Sequence, residues 1–101
     1  MSKKKKEVSD TPEKWNTADA ARVFDMLGDP TRLAIVEQLA ADPTNVTDLC
    51  AALELKQPNL SHHLGLLRNS GLVESTRTDR TVVYAIRPDG FKAATDFLAG
   101  L

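Results

Sequence analysis

One cysteine, Cys50, is all that the 101 residues contain. A lone thiol excludes an internal disulfide framework and cannot make a metal site by itself. Nothing else in the composition points to an oxidising compartment. No apolar run approaches the roughly 18 residues a membrane span needs. The basic start, Met1-Ser2 and then Lys3 to Lys6, is not followed by the apolar stretch of a secretory signal, so the expected location is the cytoplasm. There is no internal repeat, and no low-complexity segment beyond those lysines. Glycine-rich phosphate loops, nucleophile–base spacings and paired acids in an apolar setting are also missing, which excludes the common enzyme constellations. Ser61 beside His62 and His63 does not supply one. Neighbours on a helix do not face each other, and no acid lies nearby in sequence to orient a base. Neither a catalytic residue nor a cofactor is expected.

What is present is ordinary in amount and unusual in placement. Apolar residues make up 42% and charged residues 27%, as in one soluble domain with a single core. The net charge of −1 conceals a division. Residues 13–55 carry three cations against eight acids, a net −5, whereas residues 56–92 carry six cations against three acids, a net +3. A basic segment of this kind suits a polyanion even when the whole chain is near neutral. Residues 1–13 read as a disordered basic tail, and residues 14–101 as one folded domain.

Apolar spacing predicts helices first. Ala20, Ala21, Phe24 and Leu27 recur at helical intervals over 17–27, with Thr17 as cap and Gly28 as terminator. Asp29 caps a second helix with Pro30 at its first position, where the missing N–H costs nothing. Leu33, Ile35, Val36, Leu39 and Ala40 form its expected buried face, and Asp42-Pro43 stops it. Asn45 caps a short third helix to Glu54, with Val46, Leu49, Cys50 and Leu53 on one stripe. After a turn at residues 55–57 a fourth helix runs from Pro58 to Ser70, with Leu60, Leu64 and Leu67 inward and Gly71 at the left-handed exit position. The period then changes. Residues 72–76 and 81–86, rich in Val, Thr and Tyr, read as an antiparallel hairpin around Arg77-Thr78-Asp79-Arg80. A last helix spans about 90–99, with Phe91, Ala94, Phe97 and Leu98. The expected fold class is mainly α with a small β-hairpin. Two short helices joined by a tight turn and followed by a hairpin are the winged helix-turn-helix arrangement.

The fourth helix carries the functional signal. Its outer face presents Asn59, Ser61, His62 and Gly65, with Gln57 at its start, and no acid occurs from Lys56 to Ser70. Short hydrogen-bonding side chains in the N-terminal half of such a helix suit base edges in the major groove. A merely solvated face would more often carry Glu, Lys and Gln. Arg68 near its end suits a phosphate or the helix dipole. Arg77 and Arg80 flank the hairpin tip, where arginine suits the backbone or minor groove. The expected DNA-facing set is therefore Gln57, Asn59, Ser61, His62, Arg68, Arg77 and Arg80. Adjacent His62 and His63 point about 100° apart and cannot chelate one metal. His63 is expected to pack beside Leu60 and Leu67, and Cys50 to serve as a small buried hydrophobe.

Three stretches, Leu27-Gly-Asp-Pro-Thr-Arg-Leu33, Gln57-Pro-Asn-Leu-Ser-His-His-Leu64 and Leu67-Arg-Asn-Ser-Gly-Leu-Val73, resemble the ArsR/SmtB family of repressors over residues 18–99. The resemblance implies a winged-helix homodimer that binds a double-stranded DNA operator and is released by an effector. It implies a dimer through the first and last helices, residues 17–27 and 90–99. Those helices, with Trp15 just before the first, also carry Phe24, Phe91, Phe97 and Leu98, more apolar bulk than one small core needs. Metal-sensing members use two cysteines on the third helix, where this chain has Asn45 and Thr47. Zinc-type members use Asp and His on the last helix, where this chain has Asp89 and Asp96 but no histidine. No metal site is expected, and the effector stays open. An effector-independent autoregulator and a winged-helix protein-interaction module are the competing readings.

Overall fold

The computed structural model describes residues 17–101. Its elements run α1 (Thr17–Leu27), α2 (Pro30–Ala41), β1 (Thr44–Asn45), α3 (Val46–Leu53), α4 (Gln57–Asn69), β2 (Val73–Thr78), β3 (Thr81–Ile86) and α5 (Lys92–Ala99), with a 3-10 turn over Pro88–Phe91. The expected basic tail and Trp15 lie outside the described residues, and Thr17, expected as the cap of α1, is already helical.

Local chemistry sets most helix ends. Asp29 has extended backbone and its side chain accepts from the Arg32 N–H at 3.0 Å, capping α2 ahead of Pro30. The Arg32 side chain turns back, and its Nε donates to the Met26 carbonyl at 2.8 Å. One short segment thus closes the start of α2 and the end of α1. Gly28 ends α1 as expected, without a positive φ. Asn45 caps α3, accepting from the Asp48 N–H at 2.7 Å while its amide donates to the Asp48 carboxylate. At the end of α4, Gly71 adopts φ 78°. Its N–H donates to the Arg68 carbonyl, and the Leu72 N–H donates to the Leu67 carbonyl at 3.0 Å. That pair of bonds is a Schellman motif, and it delivers Leu72 into the core.

The core lies where α2, α3 and α4 meet the root of the hairpin. Ile35, Leu49, Leu60, Leu64, Leu67, Leu72 and Val73 are fully buried, and Val23, Leu39 and Ala94 join them. Partly buried Cys50 packs against this cluster. Two residues expected on the buried face of α2, Leu33 and Ala40, are instead exposed, and Ala21, Phe24 and Leu98 are exposed as well. At about 100° per residue, Ile35, Val36 and Leu39 fill one arc of α2, and Leu33 and Ala40 share a stripe beyond its edge. Ala21 and Phe24 lie similarly beside the Ala20–Val23 stripe of α1.

The sheet holds three antiparallel strands in the order β1-β3-β2. β1 was not expected; Thr44 pairs with Tyr84 and Asn45 with Val83. The hairpin is longer and its loop tighter than the sequence suggested. Arg77 pairs with Val82 and Thr78 with Thr81, leaving only Asp79 and Arg80 in the loop. Asp79 takes φ 54°, a conformation aspartate tolerates better than most residues. Beyond β3, the backbone crosses close over the exit of α4. A Cβ on Gly90 would lie 2.0 Å from the Gly71 carbonyl oxygen, so this contact requires glycine.

Candidate nucleic-acid interface

Helix α4 buries one face and presents the other. Leu60, Leu64 and Leu67 are buried, while Gln57, Pro58, Asn59, Ser61, His62 and Arg68 are exposed. Helical spacing aligns Ser61, Gly65 and Arg68 in one stripe and Pro58, His62 and Asn69 in the next. Nothing lies within 4 Å of the Cβ position of Gly65, so the backbone there is open to close approach from outside. The helix starts at Lys56 without a side-chain cap, which leaves its N-terminal dipole unneutralised.

The hairpin is fixed to the same body. Leu72 and Val73 leave α4 buried, and α4 packs against β2. Strand alternation puts Arg77 on the face of Val73 and Ser75, and Arg80 occupies the loop itself. Both arginines are exposed. The seven residues singled out in the sequence therefore divide among α4 (Gln57, Asn59, Ser61, His62, Arg68), β2 (Arg77) and the hairpin loop (Arg80).

Charge follows this division. Among the described residues, three of the four cations away from α4 and the hairpin pair with carboxylates, and the fourth, Arg32, donates to the Met26 carbonyl. Arg22 pairs with Asp19, Arg87 with Asp89 at 3.0 Å and Lys92 with Asp96 at 2.8 Å. Lys56, Arg68, Arg77 and Arg80 take part in none of the ion pairs among the described residues. Cations held without carboxylate partners are available to phosphate.

Of the four positions tied to metal sensing in the resemblance, Thr47 is exposed and the other three are engaged elsewhere. The Asn45 amide is spent on the α3 cap, and Asp89 and Asp96 hold Arg87 and Lys92. A cleft of about 680 Å³ opens between α1, the exit of α4 and the start of α5. Its walls come from separate elements, so no local sequence pattern announced it.

Sequence reasoning also missed a contact of His63. The residue turns inward, with its side chain 14% exposed and Nδ1 3.9 Å from the Asp29 carboxylate. Asp29 itself is held below the usual carboxylate range, chiefly by the Arg32 N–H it accepts, with the Arg32 and His63 charges adding to that. No short-range pattern links positions so far apart in the chain.

Comparison with known proteins matches residues 29–75, from the α2 cap into β2, to the model for bacterial regulatory proteins of the arsR family. The regulator NmtR of Mycobacterium tuberculosis is 42% identical over 69 residues, 68% of this chain and 58% of NmtR. The arsenical resistance operon repressor of Escherichia coli is 43% identical over 68 residues, 66% of this chain and 58% of the repressor. The chain thus spans less than two thirds of the length of these two relatives. The transcriptional activator HlyU of Vibrio cholerae is 34% identical over 83 residues, covering 82% of this chain and 77% of HlyU. A solved structure of HlyU from that organism superposes with a TM-score of 0.73 at 33% identity, over 84% of this chain and 92% of the HlyU chain.

Proposed function

The chain belongs to the arsR family of bacterial regulatory proteins, and from that premise we propose that it is a sequence-specific regulator that binds double-stranded DNA and acts as a repressor released by an effector. The family is one of regulatory proteins, so the chain is read as a regulator and not as an enzyme. One observation carries the DNA reading: an exposed, acid-free α4 face and a hairpin whose cations have no carboxylate partners sit on one rigid body. In this reading α4 is the recognition helix. Gln57, Asn59, Ser61 and His62 reach base edges in the major groove, and Arg68, Arg77 and Arg80 hold phosphate or the minor groove. Residues 14–101 form one DNA-binding and dimerisation domain, and its operator target implies a cytoplasmic location. Among the described residues no helix is long and apolar enough to cross a membrane.

We further propose that two copies associate through α1 and α5. Phe24 and Phe97 stack edge to face with ring centroids 6.0 Å apart, and Phe24, Leu98 and Leu101 stay substantially exposed. Pairing those faces would cover them and set two recognition helices about 34 Å apart, one turn of DNA.

The test is binding to the duplex upstream of the protein's own coding sequence, against a random duplex, with and without metals, oxidants and thiols. Tighter binding to the upstream duplex, relieved by one additive, supports an effector-released repressor. Specific binding that no additive changes supports the effector-independent regulator. Equal binding to both duplexes contradicts sequence-specific recognition.

A further inference from the structure

The His63 side chain of α4 lies beside Asp29 at the corner between α1 and α2. Its Nδ1 is buried and has no hydrogen-bond partner. The Asp29 carboxylate lies 3.9 Å away, too far for a hydrogen bond and within reach of an ion pair. Asp29 is in turn fixed by the Arg32 N–H, and the Arg32 side chain by the Met26 carbonyl. The carboxylate therefore belongs to a rigid junction. A neutral imidazole with its proton on Nε2 leaves the buried Nδ1 unsatisfied, and one with its proton on Nδ1 offers Asp29 only an uncharged donor. A protonated ring adds a full charge to that N–H and is attracted to the Asp29 carboxylate more strongly than either neutral form.

We propose that His63 is a positioning residue for the recognition helix, and that its protonated imidazole, paired with Asp29, holds α4 in the orientation that reads DNA. The proposal rests on the DNA-binding reading of α4. Ser61 and His62 immediately precede His63, so any turn of α4 about its axis that moves His63 moves the two proposed base-reading side chains with it. The charged and titratable groups facing the pair are few. Arg32 comes from α2, beside Asp29, and the outward-facing His62 has its ring centroid 5.4 Å from that of His63. From the other elements packed against α4, Asp48 of α3 is engaged by Asn45, and neither Glu54 nor Glu74 of β2 pairs with His63 among the described residues. A charged imidazole pairs with Asp29 more strongly than a neutral one, so duplex affinity should be higher at pH 6 than at pH 8.

The chain has only two histidines, so His63→Gln leaves His62 as its single imidazole and isolates the part of any pH dependence that His63 carries. For wild-type protein, affinity for the upstream duplex is measured at pH 6 and pH 8 at constant salt. Thermal midpoints of the same proteins are measured without DNA. The expected result is binding about fivefold tighter at pH 6, a coupling of ordinary size. Adding Asp29→Asn should reduce the ratio to less than about twofold, because asparagine keeps the cap acceptor and removes the charge. Adding His63→Gln should do the same, and serves if the Asp29 variant does not fold. Equal affinity at the two pH values, with specific binding intact, would overturn the positioning role alone. A pH dependence that survives both added substitutions undiminished would also overturn it. A melting point that depends on pH through Asp29, in a protein that binds no duplex, would overturn the DNA reading and the positioning role together.

Discussion

At the scale of single residues, Asp29 links stability to pH. Its carboxyl is held below the ordinary value, first by the Arg32 N–H and then by neighbouring positive charge. A group whose folded-state value is depressed contributes stability that is present above its unfolded value and is lost as pH falls through the folded one. Wild-type protein should therefore lose stability to acid below about pH 4, and Asp29→Asn, which caps without ionising, should lose less over that window. Denaturant midpoints from pH 6 down to pH 2.5 test this; parallel curves for the two proteins would contradict it. Gly71 and Gly90 give a second residue-scale prediction. Gly71→Ala forces a side chain into a left-handed conformation that costs roughly 1–2 kcal/mol. Gly90→Ala must push the 3-10 turn off the α4 exit and should cost at least as much. Urea unfolding would show both, and an unchanged midpoint for Gly90→Ala would deny the close approach. The caps at Asp29 and Asn45 and the glycine at 71 were legible in the sequence because each is a rule about residues within one turn. The His63–Asp29 contact was not, because only the packing of α4 on the start of α2 brings those residues together.

At the scale of elements, every helix and both hairpin strands followed from apolar period and punctuation. β1 did not, since two residues are too few to show an alternation, and its pairing with β3 depends on where the chain turns after α2. Faces were read less well than elements. The apolar set of α2 is wider than the arc its neighbours cover, so Leu33 and Ala40 had the right spacing and the wrong exposure. The two faces of α4 respond differently to substitution. Leu64 is 1% exposed, and Leu64→Ala should cost about 2–5 kcal/mol of stability. Asn59→Ala on the outer face should stay within about 0.5 kcal/mol and alter only binding. Chemical denaturation of the two variants separates these outcomes; a large loss for Asn59→Ala would mean that the outer face has a structural duty.

At the scale of the whole molecule, the fold explains why charge is divided along the sequence. The net-positive segment, residues 56–92, contains α4 and the hairpin, where cations lack carboxylate partners. The exposed apolar residues of α1 and α5 set the quaternary prediction. Wild-type protein should sediment as a dimer at tens of micromolar, and Leu98→Glu, at a site 54% exposed in the single chain, should give a folded monomer. A monomeric wild type would contradict the proposed pairing. The central claim is that α4 reads sequence while the hairpin holds the backbone. It is tested most directly by affinity against salt for Ser61→Ala, His62→Ala, Arg77→Ala and Arg80→Ala on operator and random duplexes. The account predicts that each α4 variant loses about 1–3 kcal/mol on the operator and little on random DNA. Each arginine variant should weaken binding to both duplexes alike and flatten the salt slope by about one per lost phosphate contact. Equal losses on both duplexes for Ser61→Ala and His62→Ala, or no change in any of the four, would contradict it.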